Sequence, residues 1–335
     1  MRVDELTEND RSVWDALVAS HPGAGFMQSW IWSEFKIQEG YQVLRLGLFE
    51  NDRLTGGSLF YGYSTASEAS LWAAPDGPIL NWERDPEAAW KILLGGFSRS
   101  SIAQRATMLR VEPRRERVPA IFAGLPRAPS DLIPDETLEI DLGSEDAMLA
   151  AMKPKGRYNA RLALRHGVEI EFSNDPTDVD ALYPVLEATG IYHDFRVEPR
   201  NFFMSLARTL LPAGAGEIVI ARYRGMRLAS AFLVYHGQRV TYLYGGHLPL
   251  FTNRMAAYAM HWEIMRRAAA KGFRSYDLYG YVGPDKVAHP YFSFSRFKEK
   301  LGGAPVRRMG SRDLIFYDRL AQAAVEAIGR QGAMR

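Results

Sequence analysis

The chain has no cysteine, which excludes a disulfide framework, zinc–thiolate sites and thiol nucleophiles. Nowhere does an apolar run approach the ~18 residues needed to span a bilayer. The opening residues MRVDELTENDR are acidic and lack the basic-then-apolar plan of a secretory leader. A cytoplasmic protein is expected from these absences, with peripheral membrane contact left open. Charge of either sign is not in excess: 41 basic and 39 acidic residues leave a net +2, so affinity for a polyanion requires a local patch. Several catalytic signatures are also missing. There is no GxSxG elbow, no phosphate-binding P-loop and no HExxH. The seven histidines (21, 166, 193, 236, 247, 261 and 289) show no ligand spacing, and surface or loop positions are expected for them.

What remains is the composition of an ordinary globular protein, 47% hydrophobic and 24% charged, over 335 residues, a length that suits about two domains. Periodicity predicts an opening helix through Trp14 and Leu17, stopped at His21-Pro22-Gly23, and a second helix carrying Trp30, Trp32 and Phe35. A hairpin follows, with strands over 43–49 and 54–61, then a turn at 75–78, a helix over 86–97 and a strand over 107–111. The second half repeats the plan: a hairpin over 217–222 and 228–235, a strand over 240–244, a helix over 253–271 stopped by Gly272, and a strand over 275–279. RLTGGSLFY (53–61) resembles RLASAFLVY (227–235), and one long offset argues for two copies of a domain rather than an array. Hairpin, strand, helix, strand is the plan of the GNAT acyltransferase core. The expected fold class is therefore α+β, two tandem GNAT-like domains with mixed sheets flanked by helices. The boundary is expected near residue 145, giving domains over 1–145 and 146–311. A strand and helix over 313–328 should close the structure, with residues 312–335 returning to the first domain.

GNAT enzymes that use acyl-CoA carry a glycine-containing loop whose N–H groups approach a pyrophosphate. Here the corresponding stretch, RMAAYA (254–259), has no glycine and a bulky Tyr258. The scaffold suits acyl transfer, but the usual donor is poorly served.

Four segments carry a more specific resemblance: FMQSWIWSEFK (26–36), KPKGRYNARLALRHG (153–167), YDLYGYVG (276–283) and YFSFSRFKEKLGG (291–303). In order and spacing this set resembles the FemABX family, tRNA-dependent aminoacyltransferases that build peptidoglycan interpeptide bridges. The resemblance covers nearly the whole chain and implies its compact form, because no heptad stretch for a coiled-coil arm is present. It implies no cofactor, no metal and a monomer. The partners implied are aminoacyl-tRNA and either UDP-MurNAc-pentapeptide or lipid II, the latter at the inner membrane face.

The resemblance also implies roles residue by residue. Lys36 and Arg196 match the pair that grips the precursor's phosphates, Tyr244 an aromatic lining its channel, and Phe297-Lys298 the dipeptide whose lysine acts at the aminoacyl-tRNA terminus. Glu112 falls where the family has an acidic residue proposed as general base. Each has a plainer reading. Lys36 at a helix end favours the dipole, Glu112 could pair with Arg110 or Arg114, and Arg157, Arg161 and Arg165 at i, i+4, i+8 mark an exposed helix stripe that could touch tRNA phosphate. Two competing functions stay open: a GNAT-type N-acyltransferase using acyl-CoA, for example in exopolysaccharide modification, and a non-catalytic RNA- or precursor-binding protein.

Overall fold

The computed structural model describes residues 1–64 and 70–320. The chain divides into two compact units, Met1–Asp135 with the segment from Arg307 onward, and Glu136–Val306.

The first unit opens with strand β1 (Arg2–Glu5), helices α1 (Arg11–Ser20) and α2 (Trp30–Gln38), then strands β2 (Gln42–Glu50), β3 (Arg53–Ser64) and β4 (Ser70–Pro75). Helix α3 (Pro86–Arg99) leads to β5 (Ala106–Glu112). Local chemistry marks the ends. The Ser29 side chain accepts from the Trp32 N–H to start α2, and Asp85 accepts from the Ala88 N–H with Pro86 at the first turn of α3.

The second unit begins with β6 (Glu136–Asp141), α4 (Glu145–Ala151), α5 (Pro154–Arg165) and β7 (Glu169–Ser173). Helices α6 (Val179–His193) and α7 (Arg200–Leu210) follow, then β8 (Gly216–Tyr223), β9 (Met226–His236) and β10 (Arg239–His247). Helix α8 (Ala256–Ala270), β11 (Ser275–Asp277), α9 (Phe292–Lys298) and β12 (Ala304–Arg307) complete it, and β13 (Arg312–Ile315) returns to the first unit.

The sheet orders are β1-β2-β3-β4-β5-β13 and β12-β6-β11-β10-β9-β8-β7. Each unit thus contains a strand, two helices, a three-stranded antiparallel meander, a crossover helix, and a strand pairing parallel to the last of the meander. The parallel pairs are β4 with β5 and β10 with β11. The two segments whose sequences resemble one another are β3 and β9, in equivalent places.

Each sheet has its own core. Leu44, Leu46, Leu48, Phe60 and Trp72 pack with Leu93 and Phe97 of α3 in the first; Val219, Ala231, Leu233 and Val240 pack with Ala259, Met265 and Ala268 of α8 in the second. Burying one such large side chain stabilises by about 1.5–3 kcal/mol.

Several elements differ from the sequence reading. The division falls between Asp135 and Glu136, because β6 pairs antiparallel with β11 through Ser275↔Asp141 to Asp277↔Glu139. Helix α8 starts at Ala256 rather than 253, since residues 252–254 form a 3₁₀ turn and Met255 is left-handed with φ 55°. Strand β11 stops at Asp277, two residues before Tyr279 turns left-handed. Strand β13 occupies the expected closing strand, and the remainder of the expected helix after residue 320 lies outside the described residues.

Candidate active site

In the second unit, the parallel strands β10 and β11 and the loop after β11 frame the expected Phe297-Lys298 pair. Two left-handed residues in succession, Tyr279 (φ 48°) and Gly280 (φ 61°), turn this loop. Asp277 stabilises the turn: its Oδ1 accepts from the Tyr279 N–H at 2.9 Å and from the Thr137 hydroxyl at 2.6 Å. The turn presents the carbonyls of Tyr279 and Gly280 to the Lys298 ammonium, which donates to both, to Gly280 at 2.7 Å. Helix α9 is fastened to the same loop. Ser295 Oγ accepts from the Val282 N–H at 2.9 Å, Arg296 donates to the Val282 carbonyl at 2.8 Å, and Tyr281 donates to Glu299 at 2.9 Å. Lys298 is thereby held by both ends of its surroundings, which is what preorganised catalytic groups require.

Beneath Lys298 lies an aromatic floor. The Phe297 ring is 4.9 Å from Tyr258 and 5.5 Å from His261, and His261 is 4.7 Å from Tyr242. The Lys298 Nζ sits 5.9 Å from the centre of the Tyr242 ring. Burial among these groups lowers the Lys298 pKa to about 8, against an opposing pull from Asp277. His261 is buried, hydrogen-bonds through Nδ1 to the Tyr276 hydroxyl at 2.8 Å, and is held neutral, its pKa pushed to about 3 by burial and then by Lys298. The expectation that the histidines lie on surfaces or loops is therefore wrong for His261: it belongs to the buried face of α8. The signal was present, because Tyr258, His261, Trp262 and Met265 share the apolar face of that helix.

Tyr244 sits two residues from Tyr242 on β10 but points elsewhere. The register shifts between Tyr242 and Tyr244, and this bulge breaks the two-residue alternation of a strand. Tyr242 consequently meets α8, while Tyr244 packs against Phe203 of α7 at 5.0 Å and Phe202 at 5.9 Å. Gly245 is required here, since a Cβ would stand 2.0 Å from the Tyr242 hydroxyl. Arg196 lies exposed in the segment after α6, on the same unit.

Lys36 and Glu112 belong to the first unit, so no single unit contains all six expected residues. Lys36 is half-buried in the last turn of α2, its Nζ 3.7 Å from the centre of the Tyr41 ring, a cation–π geometry rather than a fully solvated helix end. Glu112 closes β5 and is only 2% exposed. Its Oε1 accepts from the Ser311 hydroxyl at 2.6 Å and from the Leu132 and Ile133 N–H groups at 3.2 and 3.3 Å; its Oε2 has no partner among the described residues. Burial raises its pKa to about 8. The plainer pairing with Arg110 or Arg114 does not occur: Arg110 grips Asp313 with two bonds of 2.7 and 2.9 Å, and Arg114 lies 3.7 Å from Asp76. Among the described residues no cluster of three or more His, Asp or Glu could hold a metal, and no helix is long and apolar enough to cross a membrane.

Comparison with known proteins agrees with this architecture. Residues 153–293 match the acetyltransferase (GNAT) domain family. A lipid II:glycine glycyltransferase of Staphylococcus saprophyticus is 20% identical over 382 aligned positions, covering 90% of each chain. The crystal structure of FemX superposes with a TM-score of 0.85 at 18% identity, covering 96% of this chain and 99% of that one. A tandem GNAT protein from the clavulanic acid biosynthesis pathway gives a TM-score of 0.55 at 14% identity, covering 94% and 98%. The tandem units and these likenesses show that the chain is built on the GNAT fold, repeated in tandem.

Proposed function

We propose that the protein is an aminoacyltransferase that moves an amino acid from aminoacyl-tRNA to the stem-peptide amine of a peptidoglycan precursor, UDP-MurNAc-pentapeptide or lipid II. The observation that carries this reading is the buried Lys298 ammonium, held by the Tyr279 and Gly280 carbonyls where the parallel strands of the second unit end. The glycyltransferase relative acts on lipid II and supports the same acceptor class here.

The chemistry sets modest demands. An aminoacyl ester is already activated, so the acceptor amine attacks its carbonyl carbon and loses a proton, and the C–O bond to the ribose breaks with a proton returned to the ribose oxygen. Negative charge develops on oxygen, and a fixed cation stabilises it without reorganising. Lys298 is assigned that role or placement of the donor's end. Phe297, in the aromatic floor, is assigned the packing of that end. Glu112 is assigned the amine proton, which its ionised form takes up; a group titrating near 8 holds that form increasingly as pH rises above neutral. Its burial means that the 131–133 segment has to yield when the amine arrives. Lys36 and Arg196 are assigned the phosphates, and Tyr244 the lining of the precursor's channel.

The test is a transfer assay with charged tRNAs and UDP-MurNAc-pentapeptide, read by mass spectrometry. Lys298→Ala should lower transfer by roughly a hundredfold while leaving precursor affinity nearly intact. Lys36→Met and Arg196→Met should instead weaken precursor binding roughly tenfold or more, the loss of a charged hydrogen bond. A mild loss in Glu112→Gln beside a severe one in Lys298→Ala would assign the proton to a group on the substrate. Wild-type transfer by Lys298→Ala ends the assignment. Transfer from acyl-CoA but not from aminoacyl-tRNA would establish the CoA-dependent reading in its place.

A further inference from the structure

Helix α5 sorts its residues sharply by face. Gly156, Asn159, Ala160 and Ala163 are buried, with Ala160 and Ala163 in the second unit's core, whereas Lys155, Tyr158, Arg161 and Arg165 are exposed. The exposed positions recur at three- and four-residue intervals and occupy one side of the helix. No acidic residue interrupts residues 154–165. Among the described residues, Lys155, Arg161 and Arg165 engage in no ion pair, unlike Arg200, Arg222 and Arg266 on the same unit, which pair with Asp180, Glu171 and Glu145. Arg157 is different: it donates to the Leu149 carbonyl at 3.0 Å and caps α4, so it is part of the scaffold.

This face is joined to the active-site segment. A Cβ on Gly156 would stand 1.8 Å from the Lys300 carbonyl, and Lys153 donates to Glu299 at 3.1 Å. The first turn of α5 therefore lies against the residues directly following Lys298.

From this geometry we infer that the exposed face of α5 is a docking surface for the phosphate backbone of the donor RNA, leading from its duplex stem toward Lys298. The inference rests on the aminoacyl-tRNA reading and adds where the RNA lies. Three unpaired cations on one helix face suit evenly spaced phosphates. Tyr158, 59% exposed between them, presents a ring on which an unpaired base can stack. An anionic membrane is the lesser fit, because the apolar side of α5 is buried in the core and, among the described residues, Tyr158 alone on the exposed face offers a large apolar group to insert.

The experiment measures fluorescence anisotropy of the full chain with an RNA hairpin of acceptor-stem length carrying a 3′ overhang, across a salt series. Lys155→Gln/Arg161→Gln/Arg165→Gln should bind about tenfold or more weakly near 0.1 M salt, with a log–log salt slope shallower by about 2 to 3. Tyr158→Ala should bind a few-fold more weakly with the slope unchanged. Lys91→Gln/Arg99→Gln, which removes two charges from α3, should bind as wild type does. Unchanged affinity in the triple variant, or an equal loss in the α3 control, overturns the inference. So does a triple variant that loses binding to anionic phospholipid vesicles and keeps it to RNA. Transfer by the wild type from an aminoacyl ester of adenosine, which has no stem, tests the functional reading separately: failure there with intact α5-dependent RNA binding rejects the reaction and not the surface.

Discussion

Two buried ionisable groups carry the sharpest consequences at the scale of single residues. Burial lowers Lys298 to about 8, so its charge is present below that pH and is lost as pH rises through it. If transfer needs the cation, the ratio of wild-type rate to that of Lys298→Arg should fall as pH rises through about 8, because the guanidinium stays charged. Taking the ratio cancels the opposing rise from deprotonation of the acceptor amine. A ratio flat to pH 10 would remove the cation from the chemical step. Glu112 runs the other way. Its pKa rises from 4.5 to about 8 on folding, so the folded chain holds a proton that the unfolded chain releases. That contribution to stability is complete below about 4.5 and is lost as pH rises toward 8. Glu112→Gln, which cannot ionise, should therefore gain thermal stability relative to wild type across this window, measured by calorimetry; parallel curves would mean that the carboxyl is already ionised. Neither shift was legible in the sequence. The order VEP at 111–113 and FK at 297–298 located the side chains, but burial is set by partners distant in sequence, Ser311 for Glu112 and Tyr242 and Tyr279 for Lys298.

At the scale of elements, the strands and helices with clean periodicity were legible and those without it were not. The hairpins β2–β3 and β8–β9 and helices α1, α2, α3 and α8 follow from alternation and from three-to-four spacing. Strand β4, Ser-Leu-Trp-Ala-Ala-Pro, is too short and too alanine-rich to show alternation, though its Trp72 is fully buried. Helix α6 carries Pro184 and is apolar around much of its circumference, so a face is hard to find. The bulge at Tyr242–Tyr244 is invisible for a related reason: alternation assigns both rings to one face, and only pairing with β9 reveals that they part. One cross-element pin invites measurement. Glu217 of β8, 2% exposed, accepts from Arg267 of α8 at 2.8 and 2.9 Å, from Lys271 at 2.6 Å and from Tyr235 at 2.6 Å. These partners pull its pKa to about 2 against the opposing effect of burial, so its contribution is present above about 4.5 and lost as pH falls toward 2. Glu217→Ala should destabilise by about 3 kcal/mol at pH 7, the low end for breaking a buried ion pair because both cations stay partly exposed. Chemical denaturation at pH 7 and pH 3 checks it, with the difference between variant and wild type shrinking at the lower pH.

For the whole molecule, the strand β13 matters most. It lies antiparallel to β5 in the register Arg312↔Val111 to Ile315↔Met108, and brings Asp313 to Arg110 with both side chains nearly buried. A chain ending at Val306 would lack this strand, leave Arg110 without its carboxylate and remove the Ser311 hydroxyl from Glu112. Such a chain should show two separated unfolding transitions by calorimetry, with the transition of the first unit lowered and that of the second near its wild-type position. A single transition shifted as one would show that the units unfold together.

The same strand makes the order of synthesis a constraint on folding. A ribosome delivers residues 1–135 first, yet the sheet they form gains its last strand only after the whole of 136–306 has been translated. Domains made in one piece can fold as they emerge, in order. Here the second-made unit is continuous and can complete its sheet while the first-made one still waits with β5 as an open edge. An unpaired edge strand is a template for pairing with other chains. The nascent protein is therefore most exposed to misassembly in the interval between translation of β5 and of β13, and slow translation through 136–306 would lengthen that exposure.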